Sequence, residues 1–71
     1  MKVNTTFKDV SIQTYQQEHD KHSSKLMVKF VLNSTEYKNG AIISNNATDE
    51  HIEGEHKKLI KWSKTIIKEN I

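Results

Sequence analysis

The chain contains no cysteine, no proline and no arginine, and it has two glycines, at positions 40 and 54. Without cysteine it forms no disulfide and offers no thiolate nucleophile or thiolate metal ligand. Two isolated glycines also exclude a glycine-rich loop that cradles phosphates. A chain of 71 residues buries only about 60% of its unfolded surface. We therefore expect one small, marginally stable domain over residues 1–71 that gains stability from a partner, either a second copy or a larger protein.

Long hydrophobic runs are missing as well. The longest apolar stretches, residues 26–28 and 30–32, are interrupted by Lys29, and the first six residues are mostly polar. This pattern predicts a cytoplasmic protein without membrane contact. Eleven lysines against nine acids give a formal charge of +2. The abundance of Lys, Asn and Ile, whose codons are AT-rich, indicates an AT-rich genome, such as that of a low-GC bacterium or its phage.

The hydrophobic period is near 2 before about residue 45, which predicts strands. Residues 3–7 and 10–14 alternate in opposite phases, which predicts one strand over 3–16 with a bulge or bend near Lys8-Asp9 that brings both sets to one face. Polar residues 17–24 predict a mobile loop, and the regular alternation over 26–32 predicts a second strand. The pair Asn39-Gly40 favours a tight hairpin turn, with a short returning strand over 41–44.

After residue 45 the period changes to about 3.6, which predicts a helix. The helix begins near Thr48 or Asp49, and Gly54 weakens its first turns, so we expect fraying there and firm structure over 55–69. The predicted fold class is α+β: a three-stranded antiparallel β-meander with one C-terminal amphipathic helix packed on one face (βββα). The predicted core consists of Val10, Ile12, Leu26, Val28, Phe30, Leu32, Ile43, Ile52, Leu59, Ile60, Ile66 and Ile67.

No catalytic or metal-binding pattern emerges from the polar residues. The four histidines are His19, His22, His51 and His56. The first two lie in a polar loop, and the last two point about 140° apart on a helix, so neither pair forms a fixed ligand set. We expect no enzyme activity, no catalytic residues, no metal, no cofactor and no small-molecule substrate. His56, on the apolar stripe of the helix, is expected to be a core or rim residue bonded to a backbone carbonyl or partly hydrated.

One face of the predicted sheet has nothing to cover it. Met27 and Val31 have the opposite phase to residues 26, 28, 30 and 32, and Tyr15 lies beside them on the neighbouring strand. Because one helix covers one face, these apolar side chains form a contact surface. We expect a small non-enzymatic binding protein that uses Tyr15, Met27 and Val31 to form a homodimer or to dock on a larger protein. An accessory protein or an inhibitor of a larger protein, encoded by a phage or mobile element, would fit these features.

The alternative function is nucleic-acid binding. Opposite the core stripe, a lysine row lies between about 120° and 180° from Ile52 and comprises Lys57, Lys61, Lys64 and Lys68. Such a row would neutralise phosphates, and Trp62 at the edge of the stripe would stack on bases. The simpler interpretation is a solvated helix face in which Glu53 and Lys57 form an ordinary i,i+4 ion pair. Salt dependence of binding separates these possibilities.

Overall fold

The computed structural model describes residues 2–71, which form four antiparallel strands followed by one helix. The strands are β1 (Lys2–Phe7), β2 (Val10–Glu18), β3 (Ser23–Leu32) and β4 (Thr35–Ser44), and the helix is α1 (Asp49–Glu69). The strands lie in the sheet in chain order, so each neighbouring pair is a hairpin. α1 lies across one face, mainly on β3. The predicted α+β class is confirmed, whereas the predicted number of three strands is wrong.

The additional strand results from a tight turn at Lys8-Asp9, where the sequence predicts a bulge or bend within one strand. Both residues have positive φ, at 50° and 65°, as in a two-residue hairpin turn of the primed type. The chain therefore reverses, and Val3 of β1 pairs with Thr14 of β2. Directly paired residues point to the same side of a sheet. Residues 3, 5 and 7 of β1 therefore lie on the same face as residues 10, 12 and 14 of β2, although the two sets alternate in opposite phases. A bulge and a tight turn both shift the phase, so alternation alone does not distinguish them.

The hairpin between β3 and β4 turns at Asn33-Ser34, so the turn predicted at Asn39-Gly40 is wrong. Asn33 and Ser34 have φ of 53° and 65°, whereas Asn39 and Gly40 lie inside β4. Gly40 pairs with Met27, and a Cβ at position 40 would collide with the Sδ of that side chain. Ten residues of β3 pair with β4 in this register. The longer ladder outweighs the local preference of an Asn-Gly pair for a turn.

Two glycine substitutions distinguish these hairpin registers. Ser34→Gly is expected to stabilise the protein by about 0.5–1 kcal/mol, because a left-handed conformation costs a non-glycine residue about 1–2 kcal/mol and the flexibility of glycine offsets part of that gain. Asn39→Gly is expected to destabilise it by a similar amount, because glycine weakens a strand interior. Each change corresponds to a shift in Tm of about 2–8 °C in thermal unfolding followed by circular dichroism. If instead Ser34→Gly destabilises the protein and Asn39→Gly stabilises it, the turn lies at residues 39 and 40.

The loop between β2 and β3 covers residues 19–22, which is shorter than the predicted 17–24. The carboxylate of Asp20 accepts hydrogen bonds from the N–H groups of His22 and Ser23, both at 2.8 Å, and from the Ser23 hydroxyl at 3.0 Å. These bonds, foremost the one from the His22 N–H, lower the pKa of Asp20. The side chain of Asn45 donates to the carbonyl of Lys21. The loop is thus tied to the segment that precedes α1.

α1 begins where the sequence predicts. The hydroxyl of Thr48 accepts a hydrogen bond from the N–H of His51 at 3.2 Å, and Asp49 and Glu50 occupy the first turn, where the helix dipole favours negative charge. The helix continues without a break through Gly54, so the expected fraying does not appear as an interruption. At the other end, the Asn70 side chain donates to the carbonyl of Ile66.

The core lies between α1 and the sheet. Its buried apolar residues were all predicted and are Ile12, Leu26, Val28, Phe30, Leu32, Ile43, Leu59 and Ile67. The other four predicted members, Val10, Ile52, Ile60 and Ile66, are only half-buried at its edge. Two buried polar residues, Thr14 and Ser63, were not predicted as core. The Ser63 hydroxyl donates to the Leu59 carbonyl at 3.0 Å, which satisfies it within the helix.

Candidate functional site

A groove between α1 and β1 collects positively charged side chains. α1 packs against β2, β3 and β4, and it leaves much of β1 uncovered. The resulting groove has a volume of about 480 Å³. We call it the basic groove, and it is lined by Thr5, His56, Lys57, Ile60, Lys61, Lys64, Thr65 and Lys68. Among these described lining residues, four are lysines and none is acidic.

The lysine spacing explains why the four amines share the groove. They follow one another at intervals of four, three and four residues, which places them on one flank of an α-helix. That flank faces β1. At 1.5 Å per residue, the row extends about 16 Å along the helix axis. The structure thus brings together Lys57, Lys61, Lys64 and Lys68, the candidate phosphate contacts of the sequence.

No carboxylate among the described residues forms an ion pair with any of these four amines. Over residues 2–71 the ion pairs, both at 3.4 Å, are Lys38 with Glu36 and Lys58 with Glu55. The expected ion pair between Glu53 and Lys57 is not formed. Lys58 projects from a different part of the helix surface and does not line the basic groove. The groove lysines therefore keep their full charge available to a ligand.

The charges of the chain are segregated although the net charge is only +2. Six of the nine acids lie where α1 begins or in the region of the β2–β3 loop tied to it: Glu18, Asp20, Asp49, Glu50, Glu53 and Glu55. The lysine row occupies the later turns of the helix. A polyanion therefore meets a locally positive surface that the net charge does not reveal.

Phe7, at the end of β1, carries two lysine amines over its ring. The Nζ of Lys64 lies 5.4 Å from the ring centroid and the Nζ of Lys8 lies 5.7 Å from it, both within cation–π range. The ring is half-buried and packs at the edge of the core. Sequence reasoning missed this aromatic residue, because its place beside Lys64 depends on the turn that makes β1 a separate strand.

Trp62 does not line the basic groove. Its ring packs edge-on against Phe30, with centroids 5.9 Å apart and an interplanar angle of 63°. Phe30 in turn stacks on Tyr37 of β4, with centroids 5.1 Å apart. Trp62 is therefore part of an aromatic cluster at the edge of the core, and the structure does not bring it to the lysines as the sequence led us to expect.

His56 is half-buried and lines the basic groove. Its Nε2 lies 3.1 Å from the Oγ1 of buried Thr14, so its hydrogen-bond partner is a side-chain hydroxyl. The sequence predicted a core or rim residue, either bonded to a backbone carbonyl or partly hydrated. His19, His22 and His51 are exposed. In the described part of the chain no three His, Cys, Asp or Glu side chains are grouped closely enough to hold a metal ion. No helix over residues 2–71 has the length and apolar composition needed to cross a bilayer.

The sheet face opposite α1, which we call the open face, contains the three predicted interface residues. The strand register places Tyr15 beside Met27 and Met27 beside Gly40. Val31 and Ile42 are 61% and 60% exposed, whereas Tyr15 and Met27 are half-buried. A hollow of about 300 Å³ is lined in part by Met27, Gly40 and Ile42.

The open face also carries Lys25, Lys29 and Lys38. The Nζ of Lys29 lies 5.6 Å from the ring centroid of Tyr15. Among the described residues of this face, Glu36 is the one acid, and it pairs with Lys38. If two copies packed these faces together about a two-fold axis, three lysines of each copy would be buried with one carboxylate, Glu36, so most of their desolvation cost would not be offset. The open face is therefore apolar and cationic at once.

No protein-family model, curated protein or solved structure matches the chain.

Proposed function

We propose that this protein binds nucleic acid without sequence specificity and that the basic groove holds the phosphate backbone. The observation that carries the proposal is the groove lining, with four lysines, no acidic residue and no ion pair to any of the four amines. Lysine amines donate charge-assisted hydrogen bonds to phosphate oxygens. The row of about 16 Å spans about five nucleotides of a stacked strand at 3.4 Å each.

The groove offers little that would distinguish one base from another. Beside the lysines it presents the hydroxyls of Thr5 and Thr65, the imidazole of His56 and the side chain of Ile60. Base recognition relies mainly on bidentate contacts from Arg or Lys to guanine and from Asn or Gln to adenine. The described lining residues include no Arg, Asn or Gln, and the four lysines are assigned to phosphates. We therefore expect similar affinities for different sequences of equal length.

A merely solvated helix face explains the lysine row less well. The neighbours Lys57 and Lys61, Lys61 and Lys64, and Lys64 and Lys68 are like charges three or four residues apart. Each such pair destabilises a helix by about 0.2–0.5 kcal/mol. Glu53 is available one turn before Lys57 and still does not pair with it. A bound polyanion would remove this repulsion, because its phosphates neutralise the neighbouring amines.

Two single substitutions on α1 test the proposal. Lys61→Gln is expected to weaken binding of a fluorescein-labelled oligo-dT strand about five-fold at 0.1 M salt, the effect of losing one phosphate contact to a single strand. Lys58→Gln makes the same charge change on the same helix, but Lys58 lies outside the groove and pairs with Glu55. It is expected to change affinity less than two-fold. Fluorescence anisotropy measures both affinities.

Equal losses in the two variants would show that overall charge, and not the basic groove, is responsible. If the parent protein binds neither single-stranded nor duplex oligonucleotides at low salt, the proposed function is wrong. Circular dichroism of each variant checks that the helix content is unchanged.

The open face favours a second function, docking on a protein partner with an acidic surface. Val31 and Ile42 are largely exposed there, and burying such side chains stabilises a complex by about 25 cal/mol per Å² of apolar surface. Lys25, Lys29 and Lys38 favour a partner that presents carboxylates. A second copy would present the same lysines, so we favour a foreign acidic partner over the homodimer expected from the sequence.

Two measurements test the occupant of the open face. In size exclusion with light scattering, the parent and the double variant Met27→Lys/Val31→Glu are both expected to be monomers. Binding of poly-L-glutamate is expected to weaken more in Lys29→Glu than in Lys61→Glu. A parent dimer that the double substitution separates would identify the second copy as the occupant and overturn the acidic partner. Equal weakening in the two glutamate variants would also overturn it.

A further inference from the structure

The shape of the basic groove limits the kind of nucleic acid that reaches the lysines. α1 forms one wall and β1 the other, and the space between them is about 480 Å³. A duplex binds a protruding helix in its major groove, which is about 12 Å wide. Here Thr5 of β1 lies across the groove from the lysine row, so the amines line a cleft and do not stand on a protruding helix. A single strand is thinner than a duplex and fits such a cleft with its phosphates on the amines.

Phe7 lies at the edge of this cleft, because Lys64 both lines the groove and reaches the Phe7 ring. The ring is half-buried, and what covers it from solvent includes the flexible side chains of Lys8 and Lys64. Stacking of a base on an aromatic ring is comparable in strength to the cation–π contacts that it replaces, and each displaced amine gains a charge-assisted contact to a phosphate. A base can therefore displace the two amines from the ring, and the amines are then free to bind the phosphates on either side of that base.

We propose that the basic groove binds single-stranded nucleic acid and that Phe7 stacks on one of its bases. This proposal rests on the proposed function, because it names the strandedness of the nucleic acid that the same groove holds. A duplex keeps its bases paired and stacked, so it offers no free base to Phe7. Stacking on a phenyl ring tolerates every base, which agrees with a groove that lacks sequence-reading side chains.

Three probes of equal length test the proposal on the parent protein: an oligo-dT strand, a strand of abasic sites with the same number of phosphates, and an oligo-dA·oligo-dT duplex. Oligo-dT is expected to bind more tightly than the duplex, and at least about five-fold more tightly than the abasic strand, the lower limit for one stacked base. The salt dependence for oligo-dT and the abasic strand is expected to be the same, because their phosphate contacts are the same.

Phe7→Leu keeps an apolar side chain at the edge of the core and removes the aromatic ring. This variant is expected to bind oligo-dT and the abasic strand equally, with the affinity that the parent has for the abasic strand. Tyr15→Leu is the matched control, because Tyr15 is also half-buried under a lysine amine but lies on the open face. It is expected to preserve the preference for oligo-dT.

The outcomes separate this proposal from the function on which it rests. Equal affinity of the parent for oligo-dT and the abasic strand would overturn stacking, while phosphate binding in the groove would stand. Tighter binding of the duplex would overturn the single-strand preference. Loss of the oligo-dT preference in Tyr15→Leu, with its retention in Phe7→Leu, would move the stacking site to the open face. If Phe7→Leu does not fold, the parent's affinities for the three probes alone decide whether the groove prefers a single strand and stacks on a base.

Discussion

Phe30→Ala is expected to lower the free energy of unfolding by about 3–5 kcal/mol, the usual cost of truncating a buried aromatic side chain. Phe30 is 2% exposed and is contacted by two further rings, stacking on Tyr37 and meeting Trp62 edge-on. Removing it leaves a cavity between β3, β4 and α1 and takes away the partner of both rings. A domain of this size has a total stability of about 4–10 kcal/mol, so the variant should be partly or wholly unfolded.

Urea denaturation followed by circular dichroism measures this effect. Val31→Ala is the matched control, because Val31 is the next residue of β3, points to the open face and is 61% exposed. It is expected to change stability by no more than about 0.5 kcal/mol. If Phe30→Ala unfolds at the same urea concentration as the parent, or if the two variants lose equal stability, the assignment of the faces of β3 is wrong.

Replacing all four groove lysines with glutamine is expected to weaken binding of a single strand about 600-fold at 0.1 M salt, since each phosphate contact to a single strand contributes about five-fold there. The helix should remain intact, because glutamine is a good helix former and the like-charge repulsion along the row is removed. The substitutions are Lys57→Gln, Lys61→Gln, Lys64→Gln and Lys68→Gln. Fluorescence anisotropy with labelled oligo-dT measures the loss.

A second quadruple variant controls for net charge. It changes four lysines outside the basic groove to glutamine, at positions 21, 25, 38 and 58, and so has the same formal charge as the groove variant. We expect it to retain binding within about ten-fold of the parent, because only distant, screened charges are lost. Comparable losses in both variants would mean that the whole surface attracts nucleic acid and that the groove has no special role.

The parts of the fold that depend on local periodicity were predictable from the sequence. Alternation over residues 26–32 identified the centre of β3 and its buried side, and the change of period near residue 45 located the start of α1 near Thr48 or Asp49. The split between β1 and β2 was not predictable in this way, because a bulge and a tight turn change the phase of alternation equally.

The β3–β4 turn shows where local sequence preferences mislead. Asn39-Gly40 is the stronger turn signal, yet the chain turns at Asn33-Ser34 with both residues in the left-handed region. The observed register lets Phe30 face its stacking partner on β4 and extends the ladder to ten pairs. These are contacts between distant residues, which a two-residue motif does not encode.

The candidate site, like the fold, was predictable from the sequence only where it depends on spacing within one element. The lysine row could be located from the sequence, because its geometry depends on helical spacing alone. The wall formed by β1, the place of Phe7 and the displacement of Trp62 into the aromatic cluster could not, because they depend on where α1 sits across the sheet. That position is set by packing between elements, and no pattern within one element reports it.

The salt dependence of oligo-dT binding tests the central claim, that the four groove lysines bind phosphates, most directly. Four contacts to a single strand predict that log K falls against log salt with a slope of about −2.8, which is about a 50-fold loss of affinity between 50 and 200 mM salt. The quadruple groove variant should show a slope near zero in any residual binding. A slope near zero for the parent, or a parent slope that the groove variant retains, would contradict the claim.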